Sequence, residues 1–565
     1  MILGGVWQGA RMDLNLLEIA AIAGGTWAWK RGWRPSWNWL PNPARPWLWA
    51  LGLAVMVPLF RIALVPLLPA PLPLVTDEFS HLLLADTLLH HRFANPTHLF
   101  WPHFESLHII QRPHYVSNYF PGPAAVLALA RLAVGNPWAG VLAECTIFLG
   151  LLYWALRAWM TARWSLYGVI LAALRFGIGS YWMNAFHGGF LPAAAGALVF
   201  GAFGRLWRRP SLLDGVTLGL GLAVLAVSRP FEGALYSLPM IGALLWQHRR
   251  SFASLTKIVV PAAVLSGCAV AFLGVYFTQI TGSPFVTTYQ ISQKTYGWPM
   301  GLAWTPPPKV EHTHIEFARY YKYELSERGT VDGPIDFLEY LTFRVQEYWR
   351  FFYGPVLTIP LLFVAGVWRR RRLFFLALSG AVFAVMLEGA ASPHYIAPAT
   401  VVLVAILVEC VRHMRAAGVR LSGALLVVMG VVLVLRIGAQ DLHLPYSQEV
   451  NYQSWCCRVE GNLNKSRLIR QLEQTPGGHL VFVKAKINEK NLFQWIYNDA
   501  DIDASRIIWA RDLGEARNAQ LADFYHGSRT TWLVDPNVEP AQIIRYKPNT
   551  LATDDFVSSA DRTGK

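Results

Sequence analysis

Apolar stretches of bilayer-crossing length recur along most of this chain, and they restrict it to folds that satisfy their own backbone hydrogen bonds inside lipid. A hydrocarbon core about 30 Å thick needs roughly 20 apolar residues per helix. Stretches near that length fall at 47–75, 138–158, 165–182, 188–204, 211–228, 231–247, 257–280, 353–367, 373–391, 394–411 and 421–438. A shorter one at 14–29 carries Glu18 and reads as a weak span or an interfacial helix. Only 15% of the residues are charged, against about 25% in a soluble domain. The expected fold class is an α-helical polytopic membrane protein of about eleven or twelve transmembrane helices.

Charge placement orients the spans. The net charge of +14 is divided among short clusters at span ends rather than gathered in one patch, which argues against a nucleic-acid partner. Lys30 with Arg31, Arg34 and Arg45, then Arg157 with Arg163, then Arg205 with Arg208 and Arg209, mark every second connection. Arg249 with Arg250 and Lys257, Arg369 to Arg372, and Arg412 with Arg415 and Arg420 continue the alternation. Lys and Arg are retained on the cytoplasmic side, so the other connections face outward. The alternation requires 122–134 to lie along the outer surface, consistent with its Pro121-Gly122-Pro123 start and internal Arg131. The Met1–Ala10 stretch lacks the basic start of a cleavable signal. Five cysteines show no metal-ligand spacing, and Cys456-Cys457 reads as a reduced or vicinally bonded pair.

The chain divides into an N-terminal segment 1–46, a membrane domain 47–438 and an outward-facing region 439–565. Two large outer loops, 76–137 and 281–352, belong to the membrane domain. After 439, strand-like runs (His479–Lys486, Arg506–Arg511, Thr530–Val534) alternate with helix-like ones (Lys465–Gln474, Glu515–Phe524), which suggests a small α/β domain with a largely parallel sheet.

Chemistry concentrates on the outward side. Asp77 and Glu78 stand side by side at the start of the first outer loop, followed by His98, His103, Glu105, His108, Arg112, His114 and Tyr119. A carboxylate held at a membrane surface can accept the proton of an attacking hydroxyl; the bland alternative is that the pair caps the helix that follows. Arg229, between Ser228 and Pro230 and close to Glu232, is costly beside lipid unless paired or functional. Its planar fork suits a phosphate, and a structural ion pair with Glu232 or Asp77 is the alternative. His187, and His394 with Tyr395, sit at the outer ends of spans. Lys294 in the second large loop is a further candidate for phosphate, or a solvated surface lysine. The loop histidines fit no tetrahedral zinc spacing; a divalent ion held by Asp77 or Glu78 with one histidine is the cofactor these residues allow. Arg61 and Arg175 lie within spans, where snorkelling or an internal pair competes with a substrate path.

A first span that ends in the acidic pair Asp77-Glu78, followed by a long outer loop with surface helices, resembles the GT-C superfamily of polyprenyl-phosphate-sugar glycosyltransferases, which includes protein O-mannosyltransferases and the aminoarabinose transferase of lipid A. More closely, Asp77-Glu78-Phe79-Ser80, Asn95-Pro96-Thr97-His98, His103-Phe104-Glu105, Tyr119-Phe120-Pro121-Gly122, Ser180-Tyr181-Trp182-Met183-Asn184, Ser228-Arg229-Pro230-Phe231-Glu232-Gly233 and Pro393-His394-Tyr395 resemble a group of bacterial membrane proteins described as glycosyltransferase-like. The similarity extends to Trp495-Ile496-Tyr497-Asn498 near the end. His187 and Phe190 depart from the tryptophan- and glycine-rich turn of that group, and the Pro121 segment lacks a second adjacent proline.

The resemblance implies a glycosyltransferase in a bacterial inner membrane with its site facing the periplasm or exterior. In it, Asp77 is the base that activates an acceptor hydroxyl, with Glu78 as helper or metal contact. A polyprenyl-phosphate sugar is the donor substrate, its phosphate met by Arg229, His394, Tyr395 and Lys294, with His187, Glu232, Arg112, His103 and Glu105 as further site residues. The acceptor, whether glycan, lipid or protein, is not named by the sequence. The rival readings are a secondary transporter, which places its polar site near the midplane on broken helices, and an inactive scaffold of envelope assembly.

Overall fold

Long apolar sequence is helical almost throughout the computed structural model, which describes residues 12–33, 35, 45–299, 301–328, 333–439, 442–443, 453–457, 461–486 and 495–548. The first helices are α1 (Met12–Lys30), α2 (Pro46–Ala63) and α3 (Thr76–Leu89). A 3-10 turn at Trp101–Phe104 and an antiparallel pair, β1 (Ile109–Ile110) with β2 (Val116–Ser117), shape the first outer loop. Then come α4 (Pro121–Val134), α5 (Trp138–Leu156), α6 (Ala162–Ala172), α7 (Phe190–Arg208), α8 (Leu212–Ser228), α9 (Pro230–His248) and α10 (Phe252–Thr281). The second outer loop holds α11 (Thr288–Tyr296), α12 (Ile315–Arg328) and α13 (Pro334–Phe352). The membrane domain closes with α14 (Gly354–Leu361), α15 (Val364–Arg370), α16 (Arg372–Leu387), α17 (Thr400–Ala416) and α18 (Ser422–Ile437).

Among the described residues, five helices are long and apolar enough to cross a bilayer: α2, α5, α7, α10 and the run Ala397–Ala416. α4, α8, α16 and α18 are apolar but shorter. Three expected spans need correction. The helix in 47–75 stops at Ala63, because Pro66, Pro69, Pro71 and Pro73 remove backbone donors and carry the chain as a turn into α3. The stretch 165–182 breaks after α6 into a π-turn at Ala173–Gly177 and an irregular segment. The stretch 353–367 splits between α14 and α15, just after Pro360.

Intramembrane arginines act as ties. Arg61 is fully buried and donates from Nε to Asn184 Oδ1 (2.7 Å) and from its two terminal nitrogens to the carbonyls of Leu68 and Pro69 (both 2.9 Å). It therefore holds the proline-rich turn instead of snorkelling. Arg175 pairs with Glu18 at 3.0 Å, both 1% exposed, which docks α1 against the bundle. Glu18 also accepts from Val356 N at 3.2 Å. Basic ends collect at one pole: Arg371 and Arg412 both pair with Glu409 (3.1 and 2.7 Å), and Arg205 and Arg208 lie over Trp154 and Trp159.

Beyond the membrane domain lie α19 (Leu463–Glu473), β3 (Gly478–Val483), β4 (Ile507–Arg511), α20 (Glu515–Phe524), β5 (Arg529–Asp535) and β6 (Gln542–Arg545). The sheet order is β4–β3–β5–β6, with β3 parallel to both neighbours and β6 antiparallel at the edge. The short β6 was not among the strand-like runs read from the sequence, nor were β1 and β2. Cys456 and Cys457 form a disulfide. The domain leans on the first outer loop: Ser106 Oγ donates to Ile496 O (2.7 Å), Tyr115 OH to Asn498 O (2.9 Å), and Arg511 Nε to Glu105 O (2.9 Å).

Close packing depends on small residues at a few points. A Cβ on Gly196 of α7 would stand 1.8 Å from the carbonyl oxygen of Pro398, at the start of the last long span. Backbone cannot yield there as a side chain can. Gly196→Val is therefore expected to destabilise the membrane domain by about 1–3 kcal/mol, seen as a lower unfolding midpoint of the detergent-purified protein.

Candidate active site

The motif Asp77-Glu78-Phe79-Ser80 sends four successive side chains to different places because it opens a helix. Glu78 is fully buried and its carboxylate accepts from the backbone N–H of Leu74 (2.7 Å), Val75 (3.0 Å) and Phe186 (2.9 Å). The first two close the turn before α3, so the capping reading applies to Glu78; the third ties α3 to the segment after α6. Phe79 meets Tyr497 of the α/β domain, ring centroids 4.8 Å apart. Ser80 donates to the backbone oxygen of His108 at 2.7 Å and lies 2.7 Å from Ser117 Oγ, fixing the loop that carries His108.

Asp77 alone of the four faces a polar cleft, with 29% of its side chain exposed. His108 Nδ1 lies 3.0 Å from its Oδ1, and the hydroxyl of Tyr119 donates to the same oxygen. His108 is held by Thr76 Oγ1 (2.9 Å) and adopts φ +59°, a left-handed conformation that a side chain enters only when its surroundings enforce it. Burial by itself would raise the Asp77 pKa. The charge and hydrogen bond of His108, with smaller effects of His187 and His394, outweigh it and hold the carboxyl well below the usual range. His108 is pulled down by burial but pushed up more strongly by Asp77, and ends above its ordinary value. Each group thus favours the charged form of the other.

A second group faces the same cleft from the ends of α8, α9 and α16. Arg229 NH1 donates to Glu232 Oε1 at 3.2 Å, and its guanidinium lies 4.9 Å from the ring centre of Tyr395. The ion-pair alternative for Arg229 is thus present and uses one corner of the fork. His394 Nδ1 lies 2.9 Å from Tyr181 OH, and its ring meets that of His187 edge-on at 5.5 Å. His81, one helical turn after Asp77, stacks on Tyr119 at 4.6 Å. Charges on Asp77 and Arg229 both act on His81 and on Tyr289, which places the two groups around one space.

The remaining candidates lie elsewhere. Lys294 is exposed on α11, and Arg112 is exposed with its guanidinium 5.7 Å from the ring centre of Trp101. His103 is buried against Phe104 and against Phe482 of the α/β domain. Glu105 accepts from Tyr296 OH (3.3 Å) and lies 2.6 Å from His314 Nε2, within the contact between the two outer loops. These four do not join Asp77. The expected help from Glu78 also fails on geometry, since backbone N–H groups take its oxygens. Donors converge on both acids of the pair, an arrangement that does not fit a cation bridging Asp77 and Glu78, and no group of three His, Cys, Asp or Glu side chains suited to a metal occurs among the described residues. Residues that sequence reasoning passed over are His81, Tyr289, Tyr320 and Glu324. The i, i+4 spacing of Asp77 and His81 was the available signal; Tyr320, 3.4 Å from His108 Nε2, comes from a distant loop and left none.

No family model and no curated protein matches the chain. Solved structures do resemble it. ArnT from Cupriavidus metallidurans in the apo state gives a TM-score of 0.47 at 13% identity, over 86% of this chain and 92% of that one. The apo oligosaccharyltransferase of Archaeoglobus fulgidus gives 0.41 at 12%, over 86% and 69%. The oligosaccharyltransferase AglB of the same organism, in complex with an inhibitory peptide and a dolichol-phosphate, gives 0.40 at 12%, over 87% and 70%.

The Asp77–His108 pair has a pH signature. His108 is raised in the folded protein, so its contribution is fully present below about pH 6.5 and is lost as pH rises through its folded pKa. The depressed Asp77 sets a second limit, on the acid side, below about pH 4. The wild-type unfolding midpoint is expected to fall by about 1–2 °C between pH 6.5 and 9 relative to His108→Gln, which lacks that slope; differential scanning fluorimetry in detergent measures both.

Proposed function

We propose that this chain is a membrane glycosyltransferase that moves a sugar from a polyprenyl-phosphate donor to an acceptor hydroxyl, on the extracytoplasmic side of a bacterial inner membrane. The observation that carries the reading is one polar cleft with an ionised, partly exposed carboxylate, Asp77, on one wall and a membrane-edge guanidinium, Arg229, on another. Basic helix ends gather at the opposite pole, which supports the outward placement of the cleft.

Arg229, steadied by Glu232 and Tyr395, holds the donor phosphate. Its fork keeps N–H groups beyond the one given to Glu232, and a phosphate accepts them in pairs. Asp77 accepts the proton of the acceptor hydroxyl. The new bond forms between that oxygen and the anomeric carbon, the bond from carbon to phosphate oxygen breaks, and its electron pair leaves with the lipid phosphate. One displacement inverts the anomeric centre. His108 and Tyr119 keep Asp77 ionised and aimed. A base of low pKa takes the proton late, because the attacking hydroxyl becomes acidic only as the new bond forms.

Asp77→Asn is expected to lower sugar transfer by about 100- to 10,000-fold, with a loss of unfolding midpoint at neutral pH comparable to that of His108→Gln, which breaks the same pair. Glu78→Gln, which turns one acceptor oxygen into a donor facing backbone N–H groups, is expected to lower the midpoint first. Mass spectrometry of envelope glycans from cells with and without the protein identifies the product, and undiminished transfer by Asp77→Asn would remove the base assignment. Arg229→Ala is expected to reduce kcat/KM by about 10- to 100-fold, the worth of a charged hydrogen bond, whereas Lys294→Ala leaves it unchanged.

A further inference from the structure

Near Arg229 stands an acid that the displacement described above does not use. Oε2 of Glu388, the residue after α16, is shielded from solvent and has no hydrogen-bond partner among the described residues. Buried polar side-chain atoms are nearly always satisfied. The backbone around this residue is held tightly. The carbonyl oxygen of Glu388 accepts from Tyr340 OH (2.6 Å) and from a terminal nitrogen of Arg344, and Gly389 N donates to Gly301 O at 2.8 Å. Arg344, 1% exposed, also donates to Ala390 O at 2.7 Å. A clamped backbone that carries an open carboxyl group describes a preorganised contact for a ligand.

The donor has one part that neither Asp77 nor Arg229 meets, the sugar ring. Charges on Asp77, Arg229 and Glu388 all act on Tyr289 and on Tyr395, so the three groups surround one space. Tyr289 also meets Tyr119, the partner of Asp77, with ring centroids 5.8 Å apart. An in-line displacement puts the anomeric carbon between the incoming oxygen at Asp77 and the departing oxygen at Arg229. The other ring carbons, with their hydroxyls, lie off that line and need a wall of their own. A carboxylate repels the donor phosphate, which leaves the phosphate to Arg229 and the ring to Glu388.

We propose that Glu388 is a specificity residue for the donor sugar, hydrogen-bonded to a ring hydroxyl, and that this sugar is uncharged. The proposal rests on the sugar-transfer reading. The charges that act on Glu388 are those of Glu232, Arg229 and Arg344. With Glu388 counted, acids and guanidiniums are equal in number, so this wall is balanced without a charged sugar. A uronic acid would set a third carboxylate beside two, and an ammonium group would meet two guanidiniums. A hydroxyl satisfies the open oxygen and leaves the count unchanged. A site built to bond a hydroxyl also rejects an analogue that lacks it, because the buried group is then left unpaired.

The test uses the full chain in lipid nanodiscs and a panel of polyprenyl phosphodiesters as probes. The panel holds neutral glucosyl, galactosyl, mannosyl and arabinosyl donors, charged glucuronosyl and glucosaminyl donors, and polyprenyl methyl phosphate, which has the diester and no sugar. Isothermal titration is expected to show at least one neutral donor binding more tightly than the methyl diester. Glu388→Gln is expected to weaken that donor about tenfold and to leave the methyl diester within about twofold; Glu388→Ala serves if that variant does not fold. Among monodeoxy forms of the donor, one is expected to lose the same factor in the wild type and nothing further in the variant. Equal weakening of the donor and the methyl diester makes Glu388 a support for Arg229 and overturns the proposal. Tighter binding of a charged sugar than of every neutral one overturns it as well. If the wild type binds the methyl diester as tightly as every sugar donor, the sugar wall falls and the phosphate site stands. If it binds no phosphodiester at all, the sugar-transfer reading itself fails.

Discussion

The carboxylate of Glu78 is the fixed point of the outer face. It lies in a region shielded from water, where an ionised acid is tolerable only when its oxygens are fully engaged, and backbone N–H groups from two separate segments engage them. One oxygen closes the turn that begins α3; the other reaches the chain that follows α6. Removing it would leave three buried donors unsatisfied at once. Everything that faces the cleft is referenced to this junction: Asp77 precedes it, His81 follows one turn later, and His187 is next to the residue it binds.

Around that junction the molecule separates two kinds of charged interaction. Inside the helical bundle, Arg61, Arg175 and Glu18 are consumed by partners and serve to hold broken helices and turns together. At the cleft, Arg229 and Asp77 are each paired and yet still partly exposed. The difference is geometric. A guanidinium surrounded by carbonyl oxygens has nothing left for a ligand, whereas one held at a single corner keeps most of its fork. Phe79 and Asp86 bind α3 to the α/β domain through Tyr497 and through the N–H of Ala500.

Helix positions were legible in the sequence wherever apolar length was the deciding quantity, as in α5, α7 and α10, and so was the parallel sheet, because its apolar runs alternate with helical ones. Helix breaks were not, because in 165–182 the interruption is a π-turn in an otherwise apolar run with no proline to announce it. The site was legible in part. Asp77, Arg229, His187, His394 and Tyr395 stand out as polar residues at span ends, and the structure gathers them. Glu78 beside Asp77 was indistinguishable from a catalytic partner, since adjacent residues on a helix start point about 100° apart and only the fold decides which one meets water. His103 and Glu105 misled for the same reason: a polar loop buries some of its histidines and acids in contacts with other loops. Tyr320 reaches His108 from far along the chain, a proximity that no local pattern encodes.

The helices that end beside the cleft are short. α8 has 17 residues and α16 has 16, which at 1.5 Å per residue gives about 24–26 Å of length against a hydrocarbon layer of about 30 Å. α10, with 30 residues, is far longer than that layer. Lipid that borders both cannot match both, and it adapts by thinning along the short helices. Such a mismatch favours a thinner bilayer where α8 ends, beside Arg229. On the glycosyltransferase reading proposed above, such thinning would bring a lipid headgroup toward the depth of the guanidinium.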